Sequence, residues 1–185
     1  MPRFLVVYGT GEGQTARVAA RIGEVLTDRG HDVAVSDIED AGAGTDPDEF
    51  DAVLVGSSIH VGAHHDAIRD YVGTNLRGIS TRPTAFFQLS LSSAVDDEER
   101  RAEAARYVDE LLEAVDWHPD RIGLFGGALR YSKYGFLKRL LMKRIAKNAT
   151  GDIDTSRDYE YTDWDEVEAF AADFAGFVER RVKNE

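Results

Sequence analysis

The six residues Thr10-Gly11-Glu12-Gly13-Gln14-Thr15 are the stretch of this sequence best suited to chemistry. Hydroxyls stand at both ends, with two glycines between them. The segment follows an apolar run, Phe4 to Tyr8, and precedes residues at helical spacing. It therefore reads as a turn from a strand into a helix that begins near Gln14. Free backbone N–H groups and the positive end of a helix dipole can hold a phosphate dianion there without Lys or Arg. An ordinary tight turn would need the two glycines alone; the phosphate reading is the favoured one. Rival phosphate motifs fit less well. Gln14 breaks the Gly-x-Gly-x-x-Gly dinucleotide fingerprint, although Asp37 imitates its ribose-binding acid. The Gly-Lys-Ser/Thr of a P-loop is absent. Tyr8-Gly9 and Gly56-Ser57 stand where a phosphoacceptor receiver domain needs acids.

Three further loops bear on function. Ser57-Ser58-Ile59-His60-Val61-Gly62-Ala63-His64-His65 follows the third strand and is long enough to pass over a flat ring. Gly56-x-Ser58-x-His60 lacks the second glycine of a nucleophile elbow. His60 is the candidate for acid–base work; no carboxylate cluster supports a metal reading for His60 and His64. Leu89-Ser90-Leu91-Ser92-Ser93 follows the fourth strand and carries no aromatic, which leaves a bound ring open on one face. Asp152-x-Asp154 begins like a calcium loop, but Ser156 and Arg157 break the pattern.

Composition narrows the class. The 185 residues suit one α/β domain, 1–185, and there is no cysteine for thiol or iron–sulfur chemistry. No apolar run approaches membrane-spanning length and no leader is visible, so the expected compartment is the cytoplasm. The net charge of −12 argues against nucleic-acid binding. Twenty Asp against five Lys fits a halophile's salty cytoplasm, where screening makes self-repulsion tolerable. The charge is uneven, however. Arg121 to Gly151 holds eight bases and no acid.

The elements that must position these loops follow from apolar spacing. Phe4–Tyr8, Val33–Val35, Ala52–Gly56, Thr84–Leu89 and Ile122–Gly126 read as five strands. The first is a continuous buried run, and the second alternates as an edge strand does. Stripes such as Val18-Ile22-Val25-Leu26 and Val167-Ala171-Phe174-Val178 read as helices between and after them. The spacing Thr162…Asp165 suggests a capping box at the start of the last helix. The expected fold is α/β, with a parallel sheet of order 2-1-3-4-5 covered on both faces.

Residues 127–162 exceed a plain connection between strand and helix. Phe136, Leu137, Leu140, Leu141 and Ile145 predict an extra helix with most of its bases opposite the apolar side. That is the form of a basic amphipathic surface helix; a helix packed on its own domain with a solvated basic face is the plainer reading.

Gly127-Ala128-Leu129-Arg130-Tyr131, the basic stretch Lys138–Lys147, Gly151-Asp152-Ile153-Asp154-Thr155 and Tyr161-Thr162-Asp163-Trp164 together resemble the quinone-dependent protoporphyrinogen IX dehydrogenases. Trp117-His118-Pro119-Asp120-Arg121 and Gly56-Ser57-Ser58-Ile59 also match that pattern. The resemblance covers nearly the whole chain and implies a flavodoxin-like three-layer sandwich with the extra basic helix inserted before the last helix. It implies FMN as cofactor, a porphyrinogen as substrate, a membrane quinone as electron acceptor, and peripheral attachment to the cytoplasmic face of the membrane. Carried over, Thr10, Gly11, Glu12, Gly13, Gln14 and Thr15 hold the phosphate. Ser57, Ser58, Ile59, His60, Phe86, Leu89, Ser90, Leu91, Ser92, Gly127, Ala128 and Leu129 complete the flavin pocket. Arg130, Tyr131, Lys133, Tyr134, Lys138 and Arg139 are expected to meet substrate or membrane: Arg130 offers bidentate donors to a carboxylate, the tyrosines pack on a ring, and the bases meet anionic headgroups. For Tyr131 and Tyr134, simple loop packing is the competing expectation. The third-strand loop departs from the family pattern, with His60 and Val61 where a basic residue and an aromatic are commoner. The residues leave three other functions open: an electron carrier without its own substrate, an NAD(P)H:quinone reductase, and a flavin-free binding module.

Overall fold

Alternation along the first strand sets the layering. In β1 (Arg3–Gly9), Phe4 and Val6 point to one side of the sheet and Leu5 and Val7 to the other, and all four are fully buried. Such a strand is stable only with helices on both faces. The computed structural model, which describes residues 1–40 and 44–184, supplies them.

After β1 come α1 (Gln14–Asp28), β2 (Asp32–Asp37), β3 (Ala52–His60), β4 (Ala63–His64) and α2 (Asp66–Ser80). Then follow β5 (Thr84–Ser90), α3 (Glu98–Val115), β6 (Arg121–Gly126), β7 (Ala128–Leu129), α4 (Phe136–Ala149), β8 (Tyr159–Glu160) and α5 (Trp164–Val182). The main sheet runs β2-β1-β3-β5-β6, all parallel, and β4 pairs antiparallel with the end of β3. The five long strands therefore have the expected order.

Val18 and Ile22 of α1 join Phe174 and Val178 of α5 over one face. Ile68 and Val72 of α2 join Val108 and Leu111 of α3 over the other. Each such side chain contributes roughly 1.5–3 kcal/mol by leaving water. Trp117, in the connection between α3 and β6, closes this second core: it is 1% exposed and meets the Phe86 ring of β5 edge-on at 5.9 Å.

Residues 127–162 build a small core of their own. β7 and β8 pair as a two-stranded ribbon, and Leu129, Tyr131, Tyr134, Met142 and Ala146 bury one another beneath it. Two sequence expectations shift here. The third-strand loop is largely strand: β3 continues to His60 and folds back through Val61 and Gly62, both at positive φ, into β4. The last helix starts at Trp164, capped by Asp163. Thr162 instead donates its hydroxyl to the Gly126 carbonyl at 2.7 Å and accepts from Gln14 Nε2, so tertiary contacts take the hydroxyl a capping box would use.

Candidate functional site

The carboxyl ends of β1, β3, β5 and β6 converge on a cavity of about 450 Å³. In an open parallel sheet this edge is where a ligand has both strand-end loops and helix N-termini within reach. The loop after β1 contributes Thr10, Glu12, Gln14 and Thr15; the β3–β4 hairpin contributes Ser58, Ile59 and His60. Leu89, Ser90, Leu91 and Ser92 come from the end of β5, and Gly127 and Ala128 from the end of β6.

Glycine is required in the first loop for two reasons. Gly13, the residue before α1, holds φ +94°, a region that L side chains avoid. A Cβ on Gly11 would lie 2.7 Å from the His60 ring, so Gly11 lets the hairpin rest on the loop. The Gly13 N–H donates to Thr10 Oγ1 at 2.9 Å, which closes the turn. No side chain caps α1, so the first amides of that helix remain free for a ligand.

Thr15 Oγ1 is buried, with no hydrogen-bond partner, on a residue that is 1% exposed and lines the cavity. A buried hydroxyl without a partner is unfavourable. A phosphoryl oxygen at the start of α1 would satisfy it, together with the free amides. The residues present thus fit a phosphate monoester.

Glu12 is the electrostatic hub. Its side chain is only 12% exposed. Tyr134 donates its hydroxyl to Oε2 at 2.7 Å, and Lys138 Nζ lies 3.3 Å from Oε1. His60 Nε2 comes within 3.0 Å of Oε1, close enough to pair though off the line of an ideal hydrogen bond. Burial pushes the Glu12 carboxyl up, but His60, Tyr134 and Lys138 outweigh it and hold it below the usual carboxylate range. Burial, then the Glu12 charge, push the Tyr134 hydroxyl far above its usual range, so it stays a donor.

Several expected site residues lie elsewhere. Ser57 is fully buried, and its Oγ accepts from the His65 N–H at 3.1 Å, fastening the hairpin. Phe86 faces the core under α2 and α3, and Leu129 is in the core of the insert; both are 0% exposed. Tyr131 is likewise buried and donates to the Asp152 carbonyl, so neither it nor Tyr134 offers a ring face. Arg130 donates to Gln14 Oε1 at 2.6 Å and lies 3.5 Å from Glu160, which occupies the fork expected to meet a carboxylate. Arg139 turns inward to the Tyr131 and Tyr134 carbonyls. Lys133 reaches the Glu12 carbonyl at 3.0 Å. Arg130 and Lys133 thus tie the insert to the loop after β1, whereas Arg139 and Tyr131 hold the insert together internally.

The extra helix is present, but its long apolar side chains do not lie opposite its bases: they point outward on the same side as the exposed Lys143, Arg144 and Lys147. Phe136, Leu137, Leu140 and Leu141 are exposed, at 75, 81, 51 and 45%, whereas Met142 and Ala146 face inward. Leu141, Met142 and Ile145 also line the cavity, as do Val61 and Gly62 of the hairpin. Arg100, Glu103 and Tyr107 of α3 complete the mouth. Ser92 donates to Glu103 at 2.7 Å, and Arg100 bridges Glu103 and the Asn148 carbonyl. The α3 side of the cavity has no local sequence signal, since these residues stand on the polar face of an otherwise ordinary helix.

The flavodoxin-domain family matches residues 5–156. A quinone-dependent protoporphyrinogen IX dehydrogenase of Escherichia coli strain K12 is 30% identical over 180 residues, 96% of this chain and 97% of that protein. The chain belongs to that flavodoxin-domain family of dehydrogenases. A protoporphyrinogen IX dehydrogenase [quinone] of Leishmania major is 34% identical over 175 residues, 94% of this chain and 75% of its own. Among solved structures, a flavodoxin from the domain Archaea superposes with a TM-score of 0.57 at 17% identity, covering 96% of this chain and 99% of that one, which supports the fold alone. The family match runs through the loop after β1, the β3–β4 hairpin and α4, and ends before β8 and α5.

Proposed function

We propose that this chain is an FMN-dependent dehydrogenase of porphyrinogens that docks on a lipid surface and delivers electrons to a membrane quinone. The observation that carries the reading is the orphaned Thr15 hydroxyl inside a strand-end cavity, at the uncapped start of α1. It asks for a phosphoryl group, and the family's flavin mononucleotide has one.

When bound, FMN supplies a two-electron acceptor, so the protein's task is binding, orientation and exclusion of water. Thr10, Thr15 and the amides that open α1 hold the phosphate. Ser58 to His60, Leu89 to Ser92, Gly127 and Ala128 line the same cavity and would hold the rest of the cofactor there. Leu141, Met142 and Ile145 wall the cavity with apolar surface, which suits a flat tetrapyrrole. Residues 1–185 act as one domain on this reading, with the insert 127–162 as its substrate- and membrane-facing part.

No helix among the described residues is long and apolar enough to cross a membrane. Attachment would be peripheral, through Phe136, Leu137 and Leu140 entering the interface with Lys143, Arg144 and Lys147 beside them on the exposed helix. Five of the eight bases of the island, Arg121, Arg130, Lys133, Lys138 and Arg139, hold other partners, so apolar contact carries most of the attraction. That division suits a salty, Asp-rich protein, since salt screens headgroup charge but not apolar burial.

The test is spectroscopic. Purified protein should be yellow, bleach on anaerobic addition of protoporphyrinogen, and regain colour with a quinone. A colourless protein that takes up no FMN would overturn the reading. So would a flavin bleached by NADPH but not by porphyrinogen.

A further inference from the structure

Three two-electron oxidations turn a porphyrinogen into a porphyrin and remove four hydrogens from bridging carbons and two from pyrrole nitrogens. In two of the three, a C–H bond at a bridging carbon and an N–H bond at a pyrrole therefore break together; in the third, both hydrogens come from bridging carbons. The hydrogen on carbon leaves with its electron pair for the flavin. The proton on nitrogen needs a base, and the nitrogen's electron pair then forms the new double bond. Quinone takes the electron pair and two protons as the flavin is reoxidised, so the cycle balances. The cavity is lined by few groups able to take that proton. Glu103 is held by Ser92 and Arg100, and its carboxyl stays below the usual range. Glu12 has both oxygens engaged.

His60 differs. Its ring lies over Gly11, its side chain is 34% exposed, and it lines the cavity. Glu12 Oε1, 3.0 Å from Nε2, favours the proton on that nitrogen. Among the described residues, Nδ1 has no partner, and it is not a buried orphan. Lys138 and Tyr134 hold the Glu12 carboxylate in place, while Lys133 fixes the backbone carbonyl of the same residue.

We propose that His60 Nδ1 accepts the pyrrole proton released during dehydrogenation, and that Glu12 is a positioning residue that fixes the tautomer leaving Nδ1 free. This rests on the porphyrinogen reading above. A positioned base contributes on the order of 100-fold or more to such a step.

Two measurements test it. Nitrogen-15 NMR of the FMN-loaded and flavin-free protein should place the His60 proton on Nε2, and Glu12→Gln, whose amide can donate as well as accept, should relax that preference. A proton on Nδ1 in the wild type would overturn the proposal. In turnover, His60→Ala should lower kcat about 100-fold with FMN still bound, and added imidazole should restore a substantial part of the loss. Glu12→Asp should keep more activity than Glu12→Gln. Wild-type turnover in His60→Ala, or a loss that imidazole does not touch, would sink the proposal while leaving the porphyrinogen reading intact. Wild-type protein that turns over no porphyrinogen would instead defeat that reading.

Discussion

Tyr134 and Glu12 stand 122 residues apart in sequence, yet the tyrosine hydroxyl donates to the carboxylate at 2.7 Å. The same hydroxyl accepts from the Arg130 N–H at 3.2 Å. Through this contact the insert is joined to the phosphate loop, and the cavity gains its wall from α4.

Tyr134→Phe keeps the ring packed against Tyr131 and removes only the hydroxyl. It leaves a mostly buried carboxylate short of one donor. Hydrogen bonds to charged groups are worth about 1.5–3 kcal/mol, so the variant should lose a stability of that order in urea unfolding. FMN affinity should fall with it, because the loop is held less firmly. A variant as stable as the wild type would show that the contact contributes little.

Acid should loosen the same joint. The folded protein holds the Glu12 carboxyl below its ordinary value of 4.5. A depressed carboxylate stabilises the fold fully above the unfolded value and loses that contribution as pH falls through the folded one. The wild type should therefore lose stability below about pH 4.5, and Glu12→Gln should lose less over that window. The comparison requires unfolding curves at several pH values for both proteins. Parallel curves would rule out a role for Glu12.

Thr15→Val should act in opposite directions on the flavin-free and flavin-loaded protein. It removes an orphaned hydroxyl, so the flavin-free protein should gain up to about 1 kcal/mol. It also removes a phosphate donor, so FMN should bind about tenfold more weakly, a loss of ~1.4 kcal/mol. Riboflavin, which lacks the phosphate, should bind the variant and the wild type alike. Flavin fluorescence titration measures both ligands.

Membrane attachment predicts a surface effect without a fold effect. Phe136 and Leu137 are 75% and 81% exposed, so Phe136→Ser with Leu137→Ser should shift the melting temperature little. Co-sedimentation with anionic vesicles should fall several-fold. Adding salt should weaken wild-type binding only partly, since the apolar share is not screened. Equal sedimentation of the two proteins would point to another use for this face.

The sequence alone determined the five long strands, their parallel order and the glycine-rich loop after the first of them. Those features depend on local spacing: a buried strand needs an apolar run, and a left-handed turn needs glycine at Gly13. It also marked residues 127–162 as surplus and basic. Tertiary structure decided which way those bases and rings point. Lys133, Lys138 and Arg139 carry charge patterns that suit a membrane, but a buried carboxylate and carbonyls lie nearer and draw them inward. Tyr131 and Tyr134 fill the small core of the insert because their rings gain more by burial than by waiting for a ligand. Leu137 and Phe136 stay outside for the opposite reason, as Met142 and Ala146 already fill the inward face of α4. The α3 wall of Arg100, Glu103 and Tyr107 was invisible in sequence, since only the folding of the chain brings the polar side of that helix beside a phosphate loop some ninety residues earlier.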